Sequence, residues 1–278
     1  MFKRTMLIVA LAAAPVAAQQ QPHGREQPRQ QMQSHAGTRA APTTSGSELM
    51  APEATQVLRR MSDYLAGLRS FQVETVATDE VVLQSGQKVE YLTQSRTMVQ
   101  RPNHVRSERV GPIADVVFRY DGQNFSVFGN RSGFYAIAAA PPTLDAAVDA
   151  ARELYGLELP GADLLNSRPY ETLTEGMTSA QNLGLEPIDG VNCHHLALRG
   201  NDVDLQLWIQ DGDQPLPRRY VITSKMVRGE PEFTLQLSHW EPNAPIADDA
   251  FMFRPPPGAT RINFLTRPAT SAHTTEGR

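Results

Sequence analysis

Residues 188–223, reading IDGVNCHHLALRGNDVDLQLWIQDGDQPLPRRYVIT from Ile188 to Thr223, decide the fold. They predict three β-strands joined by two turns. Side chains alternate between the two faces of a strand, so Leu205, Leu207 and Ile209 share one face while Asp202, Asp204 and Gln206 share the other. Tyr220 and Ile222 repeat the apolar row on the next strand, with Arg219, Thr223 and Lys225 opposite. One apolar face and one polar face, with short turns between strands, is the mark of antiparallel pairing; parallel strands are buried on both faces.

The same rhythm extends outward. Phe71–Leu83 and Lys88–Val99 flank QSGQ, a third strand follows from His104 to Val110, and Val116–Tyr120 and Asn124–Phe128 enclose Asp121 and Gly122, a strong hairpin signal. Phe134–Ala139, a stretch around Ser179–Leu185, Phe233–Trp240 and a last short Phe251–Arg254 complete the strands. Helical periodicity appears in two places. Ala54, Val57, Leu58, Met61, Leu65 and Leu68 recur every three or four residues after Pro52, which suits a first-turn position. Thr143 is placed to cap a helix from Leu144 to about Tyr155, followed by a helical piece at Ala162–Asn166 and a turn around Tyr170–Thr174.

The expected architecture is α+β: a curved antiparallel sheet of about ten strands forming a half-open barrel, with helices covering the concave face. That face is assigned Phe118, Tyr120, Phe125, Leu205, Leu207, Ile209, Tyr220, Ile222, Phe233, Leu235 and Leu237, with Leu58, Met61 and Leu65 of the first helix as a lid. Periodicity leaves open whether the helices fill the concave side or leave a pocket.

Residues 1–18 carry the marks of a secretory signal peptide. Lys3 and Arg4 precede an apolar run, Met6–Ala14, too short to span a bilayer, and Val16 and Ala18 are small residues placed for cleavage before Gln19. No cysteine follows the run, so lipid anchoring is not expected, and export to the periplasm is. Residues 19–47 are rich in Gln, Pro, Ser and Thr and are expected to be a disordered leader; 48–264 form one half-barrel domain and 265–278 a disordered tail. The formal charge of −4 becomes more negative still if Lys3 and Arg4 are removed, so no attraction to nucleic acid is expected. No later segment has the length and apolarity of a membrane helix, and an integral membrane protein is not expected.

Chemistry is thinly signalled. Cys193 and His195 fall on one strand face and His194 on the other, so the three cannot ligate one metal, and no CxxC, HxxxH or HExxH spacing occurs. Asp202 and Asp204 share a face that reads as solvated, Asp211-Gly212-Asp213 reads as a turn, and phosphate-loop, dinucleotide and nucleophile-elbow motifs are absent. No catalytic residue, metal or cofactor is assigned. Trp208 and Trp240 fall on polar strand faces, where an exposed tryptophan would mark a contact surface or be covered by a terminal segment; Arg218 and Arg219 are candidates for a cavity rim.

RPNHVR (101–106), FRYDGQNFSVF (118–128), YGLELPGADLL (155–165), the opening stretch and a closing FMFRPPPGA (251–259) occur in that order. Together they resemble the bacterial family of predicted periplasmic proteins known as domain of unknown function family 2092, over about Pro52 to Ile262. More distantly the order of elements is similar to the lipoprotein-localisation carrier superfamily, whose half-open barrels lidded by helices shelter acyl chains. The resemblance implies a non-enzymatic exported carrier or binding protein for a hydrophobic ligand, a lipid or an acylated protein. The alternatives are an interaction module with a filled core that meets an envelope protein and, third, a hydrolase.

Overall fold

A computed structural model of the chain describes residues 50–157 and 161–264. The expected signal peptide, leader and tail lie outside the described residues. Helix α1, Pro52–Gly67, opens on its proline and buries Ala54, Val57, Leu58, Met61 and Leu65. Six antiparallel strands follow in order: β1 (Ser70–Val82), β2 (Lys88–Gln100), β3 (His104–Val110), β4 (Asp115–Tyr120), β5 (Asn124–Gly129) and β6 (Phe134–Ala139). A helical insert comes next, comprising α2 (Leu144–Glu153), the 3-10 turn Ala162–Leu164 and α3 (Pro169–Thr174). A second meander runs through β7 (Met177–Ile188), β8 (Val191–Gly200), β9 (Val203–Gln210), β10 (Pro217–Ser224) and β11 (Glu232–Pro242). The two-residue β12, Thr260–Arg261, pairs parallel to β6.

All twelve strands belong to one curved, open sheet in the order β12-β6-β5-β4-β3-β2-β1-β11-β10-β9-β8-β7. The segments named from sequence include eleven of these strands; the twelfth, β12, is too short to carry a pattern. Two meanders are joined where β1 pairs with β11. Local chemistry explains the joints: Asp121 Oδ1 accepts from Gln123 N at 3.0 Å and Asn124 N at 2.7 Å, while Gly122 takes φ of 85°, the left-handed region that glycine enters at no steric cost. The Thr143 hydroxyl accepts from Ala146 N as a helix cap.

Register converts the alternation into a core. Leu196, Leu207, Tyr220, Leu235 and Ala77 pair across β8, β9, β10, β11 and β1 into one transverse row, and Leu198, Leu205, Ile222 and Phe233 form the next. These residues join α1, α2 and α3 in one apolar cluster, with Leu58, Met61 and Leu65 of α1 fully buried in it. At about 1.5–3 kcal/mol per buried large aliphatic or aromatic side chain, that row structure dominates the stability of the fold. Polar ties lie around it. Tyr170 N donates to Ser62 Oγ at 2.9 Å, joining α3 to α1, and Arg101 Nη2 reaches Leu65 O and Asn166 O at 3.5 and 3.4 Å.

Two expectations need correction. Phe251–Arg254 is not a strand: Asp248–Phe251 is a 3-10 turn, and the prolines at 255–257 have no N–H to give a ladder. Its alternating aromatics instead pack an irregular segment across the sheet, Phe251 on His104 at 5.1 Å and Phe253 on Tyr135 at 5.3 Å. Trp240 does not follow the polar face of β11. The β1–β11 register shifts between Gln72 and Glu74, and His239 takes φ of 49°, so a bulge inserts one residue and turns Trp240 to the apolar side. There it packs on Phe71 at 5.4 Å.

Candidate functional site

A cavity of about 240 Å³ lies between the apolar face of β1–β5 and β11 and the insert residues Leu144, Ala147, Val148, Gly156, Leu157, Gly161, Ala162, Leu164 and Leu165. Strand register lays its floor out in rows. Phe71, Val99, Val105, Tyr120 and Phe125 pair across five strands into an apolar row, whose one polar atom, the Tyr120 hydroxyl, donates to Pro141 O at 2.6 Å. Two residues along, Val73, Thr97, Ser107, Phe118 and Val127 form a mixed row, in which the Thr97 and Ser107 hydroxyls bond each other at 2.9 Å. Two residues further stand Thr75, Ser95, Arg109 and Val116. The floor therefore grades from apolar to polar along the strand direction.

Beyond the third row, Asp79 pairs in register with Tyr91 on one side and Phe233 on the other. Burial pushes its carboxyl above the usual range, and the nearby Arg109 guanidinium pulls the other way. Gly161 fixes the approach of the insert. With φ of 74° it sits where a Cβ would meet Leu235 Cδ2 at 2.7 Å, so only glycine lets the chain pass this close to the cavity wall.

Of the apolar residues singled out in sequence, Phe118, Tyr120, Phe125, Leu235 and Leu237 line this cavity. Leu58, Met61, Leu65, Leu205, Leu207, Ile209, Tyr220 and Phe233 are buried in the filled part of the core, and Ile222 packs half-buried against it. The insert, not α1, supplies the helical side of the cavity. Val73, Thr75, Thr97, Ser107 and Arg109, and Ala147 and Val148 of α2, were missed. The signal for them is the fading apolarity of β1–β3 and the alanines of α2, small side chains that occupy little of the space they face.

The groups that looked chemical in sequence lie elsewhere. His194 sits on the core side of β8 with Nε2 at 3.2 Å from Asp211 Oδ1. His195 is on the opposite face, stacked on Trp208 with ring centroids 4.0 Å apart. Glu186 holds both rings, one carboxylate oxygen 3.0 Å from His195 Nδ1 and the other accepting from Trp208 Nε1 at 2.7 Å. Trp208 is thus no exposed contact; it is buried with Cys193 and Val221 in a small apolar cluster. Burial raises the Cys193 thiol, which disfavours the thiolate a nucleophile requires. Asp204 Oδ1 accepts from Gly200 N and Lys225 Nζ, both at 3.2 Å, and so closes the β8–β9 turn. Arg218 binds Gln210 and Arg219 stands 5.4 Å over Trp208, so neither rims the cavity. Among the described residues, no three of His, Cys, Asp and Glu gather as metal ligands, and no helix is long and apolar enough to cross a membrane.

The outer cluster makes a pH-dependent prediction. The Trp208 and His195 hydrogen bonds hold the Glu186 carboxyl below its ordinary value. A carboxylate with a depressed folded pKa adds stability above its unfolded pKa and loses it as pH falls through the folded one. Glu186→Gln is therefore expected to lower the thermal midpoint at pH 7, with the gap to the parent closing as the pH drops below the usual carboxylate range. An equal gap at both pH values would mean that shape alone matters there.

No curated protein matches the chain in sequence. Solved structures similar to it include an uncharacterised conserved protein from Thermus thermophilus (12% identity, TM-score 0.46, 76% of this chain and 99% of that one). The lipoprotein LppX of Mycobacterium tuberculosis also matches (18% identity, TM-score 0.41, 71% and 99%), as does a LolA superfamily protein from Nitrosomonas europaea (15% identity, TM-score 0.39, 72% and 97%). The model of the predicted periplasmic protein family, domain of unknown function 2092, matches residues 54–265, and the chain belongs to that family.

Proposed function

We propose that the protein is an exported periplasmic binding or carrier protein that shelters a hydrophobic ligand, a lipid or the acyl part of an acylated protein, in the cavity between its half-open sheet and the helical insert. One observation carries the reading: about 240 Å³ remains unfilled in the middle of an otherwise packed apolar face. Protein interiors are close-packed, and a void of this size is left only at a cost in lost contacts. An alkyl chain that fills it gains roughly 0.8 kcal/mol per buried CH₂, set against the cost of association. The role is binding without catalysis: the Cys193 thiol is buried, His194 and His195 are held by Asp211 and Glu186, and Asp204 closes a turn.

An interaction role has one feature in its favour. Strand β7 is a sheet edge on which Leu183 and Leu185 are exposed, the kind of edge that accepts an added strand from a partner. It gives the cavity no purpose, so the carrier reading stands first.

The test is native mass spectrometry of protein purified from its own host. A hydrophobic adduct that organic extraction removes, and that competes with a fluorescent fatty acid on rebinding, is the expected result. A bare protein mass together with no fatty-acid binding would sink the proposal.

A further inference from the structure

Resting on the cavity reading, we infer that the ligand is a single-chain amphiphile with an anionic head, its tail against the Phe71–Phe125 row and its head toward Arg109. The graded floor sets the direction. The first row is apolar apart from the Tyr120 hydroxyl, which is bonded to Pro141 O, the second adds the Thr97 and Ser107 hydroxyls, and the third adds Thr75, Ser95 and the one cation lining the cavity among the described residues. Four residues separate the first row from the third, about 13 Å at ~3.3 Å per residue, so the tail and head sites are a short alkyl chain apart.

Size sets the chain number. At ~30 Å³ for a water-sized group, 240 Å³ holds on the order of eight such groups. That is the volume of one medium alkyl chain. Charge sets the head. Arg109 lines the cavity whereas Asp79 does not, so the charge that faces an incoming head group is positive. Arg109 is already engaged within the chain, so the selectivity that an anionic head gains is moderate.

Titration calorimetry with decanoate and decanol tests this, using the protein stripped of any co-purified lipid. Decanoate is expected to bind about tenfold more tightly than decanol, the worth of one charge-assisted hydrogen bond in a half-buried setting. Arg109→Gln is expected to bring the two affinities together by weakening decanoate alone, and Arg109→Lys to keep the order. Equal affinities in the parent, or an Arg109→Gln variant that weakens both alike, would overturn the head assignment while leaving the cavity reading intact. Tighter binding of decyltrimethylammonium would overturn it in favour of Asp79. A two-chain phosphatidate bound as well as decanoate would overturn the single-chain limit. If no amphiphile binds, the cavity reading fails with it.

Discussion

Leu207→Glu is expected to abolish the folded protein and Leu92→Glu to leave it unchanged, as read by circular dichroism and size-exclusion chromatography. Both leucines lie in strands of the same sheet, and a count of apolar residues treats them alike. Leu207 has no exposed surface and sits between Leu196 and Tyr220 in the packed row Leu196, Leu207, Tyr220, Leu235 and Ala77. Leu92 is 55% exposed on β2. Truncating a core leucine to alanine costs about 2–5 kcal/mol, and glutamate adds a carboxylate for which the row has no partner. Against a total of about 5–15 kcal/mol for a domain, that sum removes the native state. A surface change such as Leu92→Glu stays within about 0.5 kcal/mol. The contrast also bears on the carrier reading: Leu207 was expected in sequence to line a ligand site, and its place in the filled row means that its loss reports on folding, not on binding. A folded Leu207→Glu protein that has lost only ligand would move the site to β9.

Much of the fold was legible because each local signal matched its tertiary setting. The Leu205, Leu207, Ile209 alternation, the Asp121-Gly122 turn and the Thr143 cap act within a few residues of themselves, and all three appear as expected. The failures share a different cause. Trp240 was assigned by parity, but one bulged residue at His239 inverts parity for everything after it. The aromatics of 251–254 alternate like a strand because they pack across several strands as an irregular segment. Periodicity likewise identified the apolar face and could not say which part of it is filled. Leu235 shows why: in the row with Leu207 it is core, and one edge of the same side chain borders the cavity. Filling depends on how closely the insert approaches, and that distance is set by Gly161 and by the alanines of α2 from residues remote in sequence.

Ala147→Trp is expected to abolish binding of a fluorescent fatty acid while preserving the fold, whereas Ala54→Trp, the same change on α1, is expected to destabilise the protein. Both alanines are buried to the same degree, 1% exposed, on the apolar faces of helices. Their surroundings differ. Ala54 belongs to the apolar cluster away from the cavity, where an indole has no space to enter and overpacking costs about 1–3 kcal/mol. Ala147 borders about 240 Å³ of unfilled volume, so its indole gains contacts with Phe118 and Val127 on the opposing floor in place of a ligand. Ala162→Phe, from the 3-10 turn on the same side, repeats the experiment from a second position. A melting temperature for Ala147→Trp at or above the parent's, with fatty-acid binding gone, separates occupation of the cavity from damage to the fold. Retained binding in both cavity-filling variants, each shown to be folded, would place the ligand somewhere other than between the sheet and the insert.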